Sequence, residues 1–163
     1  MTLNDALLFV LIVAAATWFG GAIACTVIGT RIARAGDSGA LGRFAGEYVR
    51  VAPGLFGGTG FLALAAGIWL VAVSDDLGFG VPWVIIALVA WFGSIVFGAT
   101  ALGFSWTRVA TALGHGPHVD GGARTPSIDS ATAPTLVTRA LRLSWIDIAI
   151  RTVVVLLVVW QPA

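Results

Sequence analysis

Three long stretches without a charged residue constrain this chain most. They cover residues 6–30, 51–74 and 77–107, and each is long enough for a bilayer core, which a helix of roughly 20 apolar residues can cross. Charged residues make up 10% of the chain and hydrophobic residues 58%, whereas about a quarter of a soluble domain is charged. The sequence therefore predicts an all-α integral membrane protein. No stretch outside the helices is long enough for a second core, so one domain over residues 1–163 is expected.

A fourth membrane span is expected near the C-terminus, although it contains two charges. Asp147 and Arg151 stand four residues apart in an otherwise apolar run, so both lie on one helix face with the acid N-terminal to the base. On an insertion scale the two charges cost about 5–7 kcal/mol, and the apolar side chains around them return about 3–7 kcal/mol. Pairing of the charges and contact with three partner helices favour insertion. The expected four-helix transmembrane bundle has spans 6–30, 53–74, 82–107 and 139–160.

The arginines give this bundle an orientation. All nine basic residues are Arg; six of them lie in the connections after spans one and three, and Arg139 and Arg142 stand at the start of span four. Positive charge marks the cytoplasmic side, so both termini are predicted outside the cytoplasm. In the first connection Leu41, Phe44 and Tyr48 stand at helical spacing, which predicts a short interfacial helix between spans one and two. Topology accounts for the scattered arginines, and nucleic-acid binding is not expected.

Tryptophan and glycine positions add expectations about packing. Membrane proteins place aromatic belts at helix ends, and five tryptophans fit such belts: Trp69, Trp83 and Trp160 outside, Trp106 and Trp145 inside. Trp18 and Trp91 fall near mid-membrane, where they are expected to provide packing bulk. Gly54 and Gly58 form a G-x-x-x-G pair, which is interpreted as close packing within the chain rather than as a homodimer seam.

The residues that usually bind metals are scarce in the predicted spans. The spans contain no His, Met1 is the only methionine, and Cys25 is the only cysteine, so no metal, haem or disulfide site is expected there. His115 and His118 share the second connection, but they supply two of the three or four ligands that zinc needs. They are expected to be solvated and free of metal. No catalytic residue and no cofactor are predicted, because no His stands beside a Ser or Thr as a base.

The Asp147/Arg151 pair is the candidate functional site. At about 1.5 Å per residue inward from Trp160, Arg151 lies near the bilayer midplane. Four hydroxyl residues of other spans have comparable depth and form a possible polar layer: Thr17, Thr59, Ser94 and Thr100. Two roles are open, an ion pair that fixes helix register and a proton relay or small-solute path. The structural role is favoured, because no other span contains a second ionisable group from which a relay could be built.

Several Gly- and Trp-rich segments resemble a known family. They are WFGG at 18–21, GLFGG at 54–58, AAGIWLV at 65–71, GFGVPW at 78–83 and LRLSWID at 141–147. In these segments, and over nearly its whole length, the chain resembles the bacterial predicted integral membrane proteins grouped as domain-of-unknown-function family 2269. Members often have a His early in helix one, as in copper-resistance D-type membrane proteins, whereas the matching place here, around Leu11, is apolar. The resemblance implies a four-helix protein of the bacterial inner membrane and brings no established activity.

The expected function is that of a non-enzymatic membrane component or accessory subunit. Its expected partners are the lipid bilayer and either another membrane protein or a second copy of the chain. One alternative is a small-solute or proton transporter or channel that uses the Asp147/Arg151 layer. A further alternative is a haem- or copper-handling membrane protein.

Overall fold

The computed structural model describes residues 3–73, 80–116 and 132–160. Within these ranges the chain is helical apart from short turns and caps. The six α-helices are α1 (Leu3–Ala35), α2 (Ser38–Ala52), α3 (Gly58–Val73), α4 (Pro82–Phe97), α5 (Gly103–Ala112) and α6 (Ala133–Trp160). Two π-helical turns, Pro53–Gly57 and Gly98–Leu102, join α2 to α3 and α4 to α5 without a break in the helical path.

Three of the helical stretches are long and apolar enough to cross a membrane. They are Asp5–Ala35, Ser38–Val73 and Pro82–Ala112, and by length and composition they indicate a membrane protein. Helix α6 is not among the three apolar stretches found in the described residues; it contains four charged residues, Arg139, Arg142, Asp147 and Arg151. The acidic connection after span two, with Asp75 and Asp76, lies outside the described residues.

Local sequence signals set the helix ends. Gly36 has a φ of +73°, a left-handed conformation that suits glycine and ends α1. The Asp37 carboxylate then accepts a 2.8 Å hydrogen bond from the backbone N–H of Ala40 and caps the start of α2. Pro82 occupies the first turn of α4, where its missing N–H is not needed. Gly114, with a φ of +76°, ends the turn after α5.

Helix α2 lies where the sequence predicts a short helix between spans one and two. It runs on through the first π turn into α3, and it packs along α5. Leu41 and Ala45 are buried against α5, while Arg43 and Glu47 are exposed. The apolar face predicted from the helical spacing is therefore present, and it packs against α5. The second helical stretch begins at Ser38, well before the expected start of span two at residue 53.

The core consists of two clusters, each centred on buried tryptophan. The first cluster contains Ala14, Trp18, Phe56, Ala63, Trp91, Ile95 and Val154. The second cluster contains Leu41, Ala45, Leu102, Trp106, Val109, Ala110 and Ala140. Helix α6 contributes to both clusters, and Asp147 and Arg151 lie along it between Ala140 and Val154. The charged residues therefore separate two apolar regions.

Trp106 and the Gly54/Gly58 pair do not take the places expected from the sequence. Trp106 is only 1% exposed, so it is core rather than part of an aromatic belt, whereas Trp69 and Trp145 are exposed. A methyl group added at Gly54 or Gly58 would meet no atom within 4 Å, so this pair provides no close packing within the chain. The side chain of Trp160 lies outside the described residues.

Candidate functional site

Asp147 and Arg151 form a direct ion pair inside the bundle. One turn of α6 brings Nη2 of Arg151 to 2.7 Å from Oδ2 of Asp147, and the two side chains are 3% and 1% exposed, respectively. At this distance the bond is short and charge-assisted. Because burial of either charge alone is costly, the pair is the arrangement that makes two charges tolerable at this depth.

Two other helices complete the coordination of the pair. From α1, the Trp18 carbonyl oxygen accepts a 2.6 Å hydrogen bond from Nη1 of Arg151. From α4, the Ser94 hydroxyl donates to Oδ1 of Asp147 at 3.3 Å. Both carboxylate oxygens and both terminal guanidinium nitrogens therefore have protein partners. The pair joins α1, α4 and α6, and we call these four residues the charge centre.

The indole of Trp18 contacts Arg151 of the charge centre on one side and residues of α3 and α4 on the other. The guanidinium carbon of Arg151 lies 4.2 Å from the Trp18 ring centroid, a distance at which the cation is attracted to the ring face. Trp18 also stacks on Trp91, with centroids 4.8 Å apart and an interplanar angle of 8°. Trp91 in turn donates from Nε1 to the Gly60 carbonyl at 3.2 Å.

Gly60 lies in a closely packed place between α3, Trp18 and Ile95. A Cβ at that position would lie 3.1 Å from Nε1 of Trp18 and 3.2 Å from Cγ1 of Ile95. Real Cβ atoms rarely come so close to other heavy atoms. The absence of a side chain at residue 60 thus lets α3 approach the Trp18 ring.

The expected polar layer is only partly assembled. Ser94 belongs to the charge centre, but Thr17 and Thr100 donate to backbone carbonyls four residues earlier, at 2.9 Å and 2.7 Å. Thr59 does the same with the Leu55 carbonyl. These three hydroxyls bond within their own helices, and the structure does not bring them together with Asp147 and Arg151.

Ser144 is a buried polar residue that the sequence reasoning missed. Its hydroxyl accepts a 3.2 Å hydrogen bond from Nε1 of Trp106 and donates to the Ala140 carbonyl at 3.0 Å. Ser144 lies three residues before Asp147, and the spacing of Ala140, Ser144, Asp147, Arg151 and Val154 repeats every three or four residues. Extending the face of the ion pair back along α6 would have identified it.

A cleft of about 340 Å³ opens beside the charge centre. The first π turn and its flanks contribute Tyr48, Phe56 and Gly57 to one wall, while the second contributes Gly98 and its neighbours to the other. Trp18 and Arg151 complete the lining from α1 and α6. The Phe56 ring centroid is 5.8 Å from the guanidinium carbon. This cleft could not be predicted from the sequence, because residues from two π turns about 45 residues apart in the chain line it together with Trp18 and Arg151.

Of the two histidines considered as metal ligands, the structure describes His115. His115 is exposed, and its Nδ1 lies 2.8 Å from the Leu113 carbonyl oxygen. His118 lies outside the described residues. Among the residues that are described, no group of three or more His, Cys, Asp or Glu side chains is placed to hold a metal ion.

No protein-family model matches the chain, and no curated protein or solved structure is significantly similar to it. The resemblance to family 2269 therefore stays a prediction from the sequence.

Proposed function

We propose that the chain is a four-span protein of the bacterial inner membrane, with both termini outside the cytoplasm, that acts as a non-enzymatic membrane component. Helix α6 has 28 residues and at about 1.5 Å per residue is long enough to cross a 30 Å hydrocarbon core. Its two central charges face other helices and neutralise each other, which lowers the cost of inserting it. The arginine-bearing connections supply the orientation.

The non-enzymatic role is supported by the burial of the charge centre and by its hydrogen bonds to neighbouring helices. Asp147 and Arg151 use both carboxylate oxygens and both terminal guanidinium nitrogens to join three helices. A proton relay needs groups that exchange partners, and the three threonines of the expected polar layer donate within their own helices instead. The pair is therefore proposed to fix the register of α6 against α1 and α4.

Reporter fusions test the topology. A periplasm-active reporter after Ala163 should be active, and the same reporter within the connection 114–133 should be inactive, while a cytoplasm-active reporter should show the opposite pattern. A cytoplasmic C-terminus would reject the four-span arrangement. The matched pair of reporters at each position controls for differences in expression.

A transport or channel role is a second candidate, because the cleft places Arg151 in contact with an opening in the bundle. Proton flux into proteoliposomes under an imposed potential measures this role, with Asp147→Asn as the comparison. The proposed structural role predicts equal, background flux for both proteins. Flux in the wild type that Asp147→Asn abolishes, while the variant stays folded, would establish transport instead.

Haem or copper handling is the weakest candidate, since the donor atoms it needs do not converge in the described residues. The absorbance spectrum and metal content of protein purified from cells supplied with haem and copper test it. A blank spectrum and less than stoichiometric metal are expected. A Soret band would show haem binding, and stoichiometric copper would show copper binding; either result would contradict this expectation.

A further inference from the structure

We propose that the cleft between the two π turns is a binding site for a neutral, membrane-soluble ring compound with carbonyl oxygens, of the quinone class. This inference rests on the proposed membrane location, because such a ligand would enter from the bilayer. It concerns binding alone and is independent of the transport question.

The shape of the cleft suits a ring-sized molecule. Ligand pockets in proteins start at about 300 Å³, and this cleft has about 340 Å³. Its walls are formed by two π-helical turns, Pro53–Gly57 and Gly98–Leu102, a distortion that is frequent at functional sites. Three phenylalanines, Phe56, Phe61 and Phe104, supply apolar lining, and aromatic walls favour a flat, apolar ligand.

Arg151 supplies a hydrogen-bond donor at this site. This residue is buried and forms part of the cleft lining. Its Nη1 and Nη2 are engaged, but Nε is buried and has no acceptor among the described residues. A buried donor left without an acceptor is destabilising, so a ligand oxygen at Nε would remove an existing penalty. Tyr48 adds a phenol to the lining as a second donor.

The charge balance of the site selects a neutral ligand. Asp147 already compensates the charge of Arg151 at 2.7 Å, so a bound carboxylate or phosphate would leave an uncompensated negative charge in an apolar environment. A plain hydrocarbon chain has no acceptor for Nε. A ring with carbonyl oxygens satisfies both conditions. Nε itself is covered, so a side chain of the cleft lining has to move before the oxygen reaches it.

Two glycines of the first π turn offer a matched pair of variants. Gly57 lines the cleft and Gly54 does not, and an added Cβ at either position meets nothing within 4 Å. Gly57→Leu should therefore fill the cleft, while Gly54→Leu adds the same side chain to the same turn outside it. Thermal unfolding and size-exclusion profiles of both variants establish that they fold.

The experiment is a titration of the detergent-solubilised protein with a short-chain ubiquinone analogue, followed by isothermal calorimetry. We expect saturable binding with one site per chain, at least tenfold weaker binding by Gly57→Leu, and a change of less than twofold for Gly54→Leu. Decanoate, a carboxylate of similar apolar size, should bind more weakly than the quinone. If Gly57→Leu does not fold, Ala99→Leu fills the opposite wall and serves in its place.

Three outcomes would overturn the proposal: no saturable binding by the wild type, equal loss of affinity in Gly57→Leu and Gly54→Leu, or tighter binding of decanoate than of the quinone. The reporter fusions test the membrane topology without any ligand. A failed titration with correct topology therefore rejects the binding site alone.

Discussion

In each core cluster a buried tryptophan packs against α6, but the polar group that α6 supplies differs between the two clusters. Trp18 and Trp106 are each 1% exposed, and α6 supplies a polar partner to both. In the first cluster that partner is the Arg151 guanidinium, 4.2 Å from the Trp18 ring centroid. In the second cluster it is the Ser144 hydroxyl, which accepts from Nε1 of Trp106 at 3.2 Å. One tryptophan therefore contacts a cation, and the other makes a neutral hydrogen bond.

This difference determines how each cluster should respond to substitution. The Arg151 charge needs Asp147 beside it, and the carboxylate in turn accepts from Ser94 on α4, so loss of one group leaves another buried and uncompensated. The second cluster relies on aromatic contacts, with Phe44 edge-on to Trp106 at 5.4 Å and 77°. Loss of the Ser144 hydroxyl there would leave the Trp106 N–H without an acceptor, and an unsatisfied neutral group costs less than an uncompensated charge. The first cluster should be the less tolerant of the two.

The largest expected effect is that of Asp147→Ala. It leaves Arg151 without a counter-charge inside the bundle, and removal of one partner from a buried pair costs about 3–5 kcal/mol. The double variant Asp147→Ala with Arg151→Leu should recover most of this loss, because it leaves an apolar helix. Thermal unfolding in detergent, analysed as a double-mutant cycle, measures both. Additive losses would mean that the pair does not act as a unit.

One glycine lies against each of the two buried tryptophans, Trp18 and Trp106. At Gly60 a Cβ would lie 3.1 Å from Nε1 of Trp18, and at Gly29 it would lie 3.3 Å from Cη2 of Trp106 and 3.0 Å from Phe44. Trp18 is fixed by Trp91 and Arg151, so Gly60→Ala should cost about 2 kcal/mol through overpacking.

Gly29→Ala should cost less than half as much as Gly60→Ala, because Phe44 is only partly buried and can shift. Gly93→Ala is the control, since its added Cβ meets nothing within 4 Å, and the better helix propensity of Ala should stabilise it by up to about 1 kcal/mol. Melting temperatures rank the three variants. Equal losses at residues 29 and 60 would contradict the idea that the charge centre makes the first cluster more rigid.

The sequence could predict the helical class and the ion pair because both depend on local spacing. The uncharged stretches predict the all-helical class, which the structure confirms. An acid and a base four residues apart meet on one turn of any helix, and the structure places Asp147 and Arg151 2.7 Å apart.

The partners of these residues could not be predicted in the same way. Trp18 lies 133 residues before Arg151 and contributes its backbone carbonyl, a group that every residue has and that carries no sequence signal. The π turns and the cleft between them likewise depend on how two helices meet. The position of Trp106 at a predicted helix end suggested an aromatic belt. The side chain is instead buried, because α2 packs against α5 and encloses it.

Replacing the two buried serines with Ala should lower stability by smaller and unequal amounts. Ser94→Ala removes a donor to the Asp147 carboxylate, and Ser144→Ala removes a neutral acceptor from Trp106. Hydrogen bonds to charged groups contribute roughly twice as much as neutral ones, although the averages in membrane proteins are modest. We expect losses of about 1 kcal/mol for Ser94→Ala and about 0.5 kcal/mol for Ser144→Ala. Unfolding in detergent measures both, and a larger loss at Ser144 would reverse the proposed order of the clusters.

The smallest expected effect is that of replacing the two histidines. His115 is exposed, its Nδ1 lies 2.8 Å from the Leu113 carbonyl oxygen, and its ring lies against Gly42 of α2. Its replacement by Ala therefore removes a contact at the surface of the bundle and none in the core. Replacing His115 and His118 with Ala should change stability by less than about 0.5 kcal/mol. The melting temperature should also be unaffected by EDTA in both proteins. Zinc or copper that copurifies with the wild type and is lost from the double variant together with a fall in melting temperature would show instead that a metal holds the α2–α5 end of the bundle.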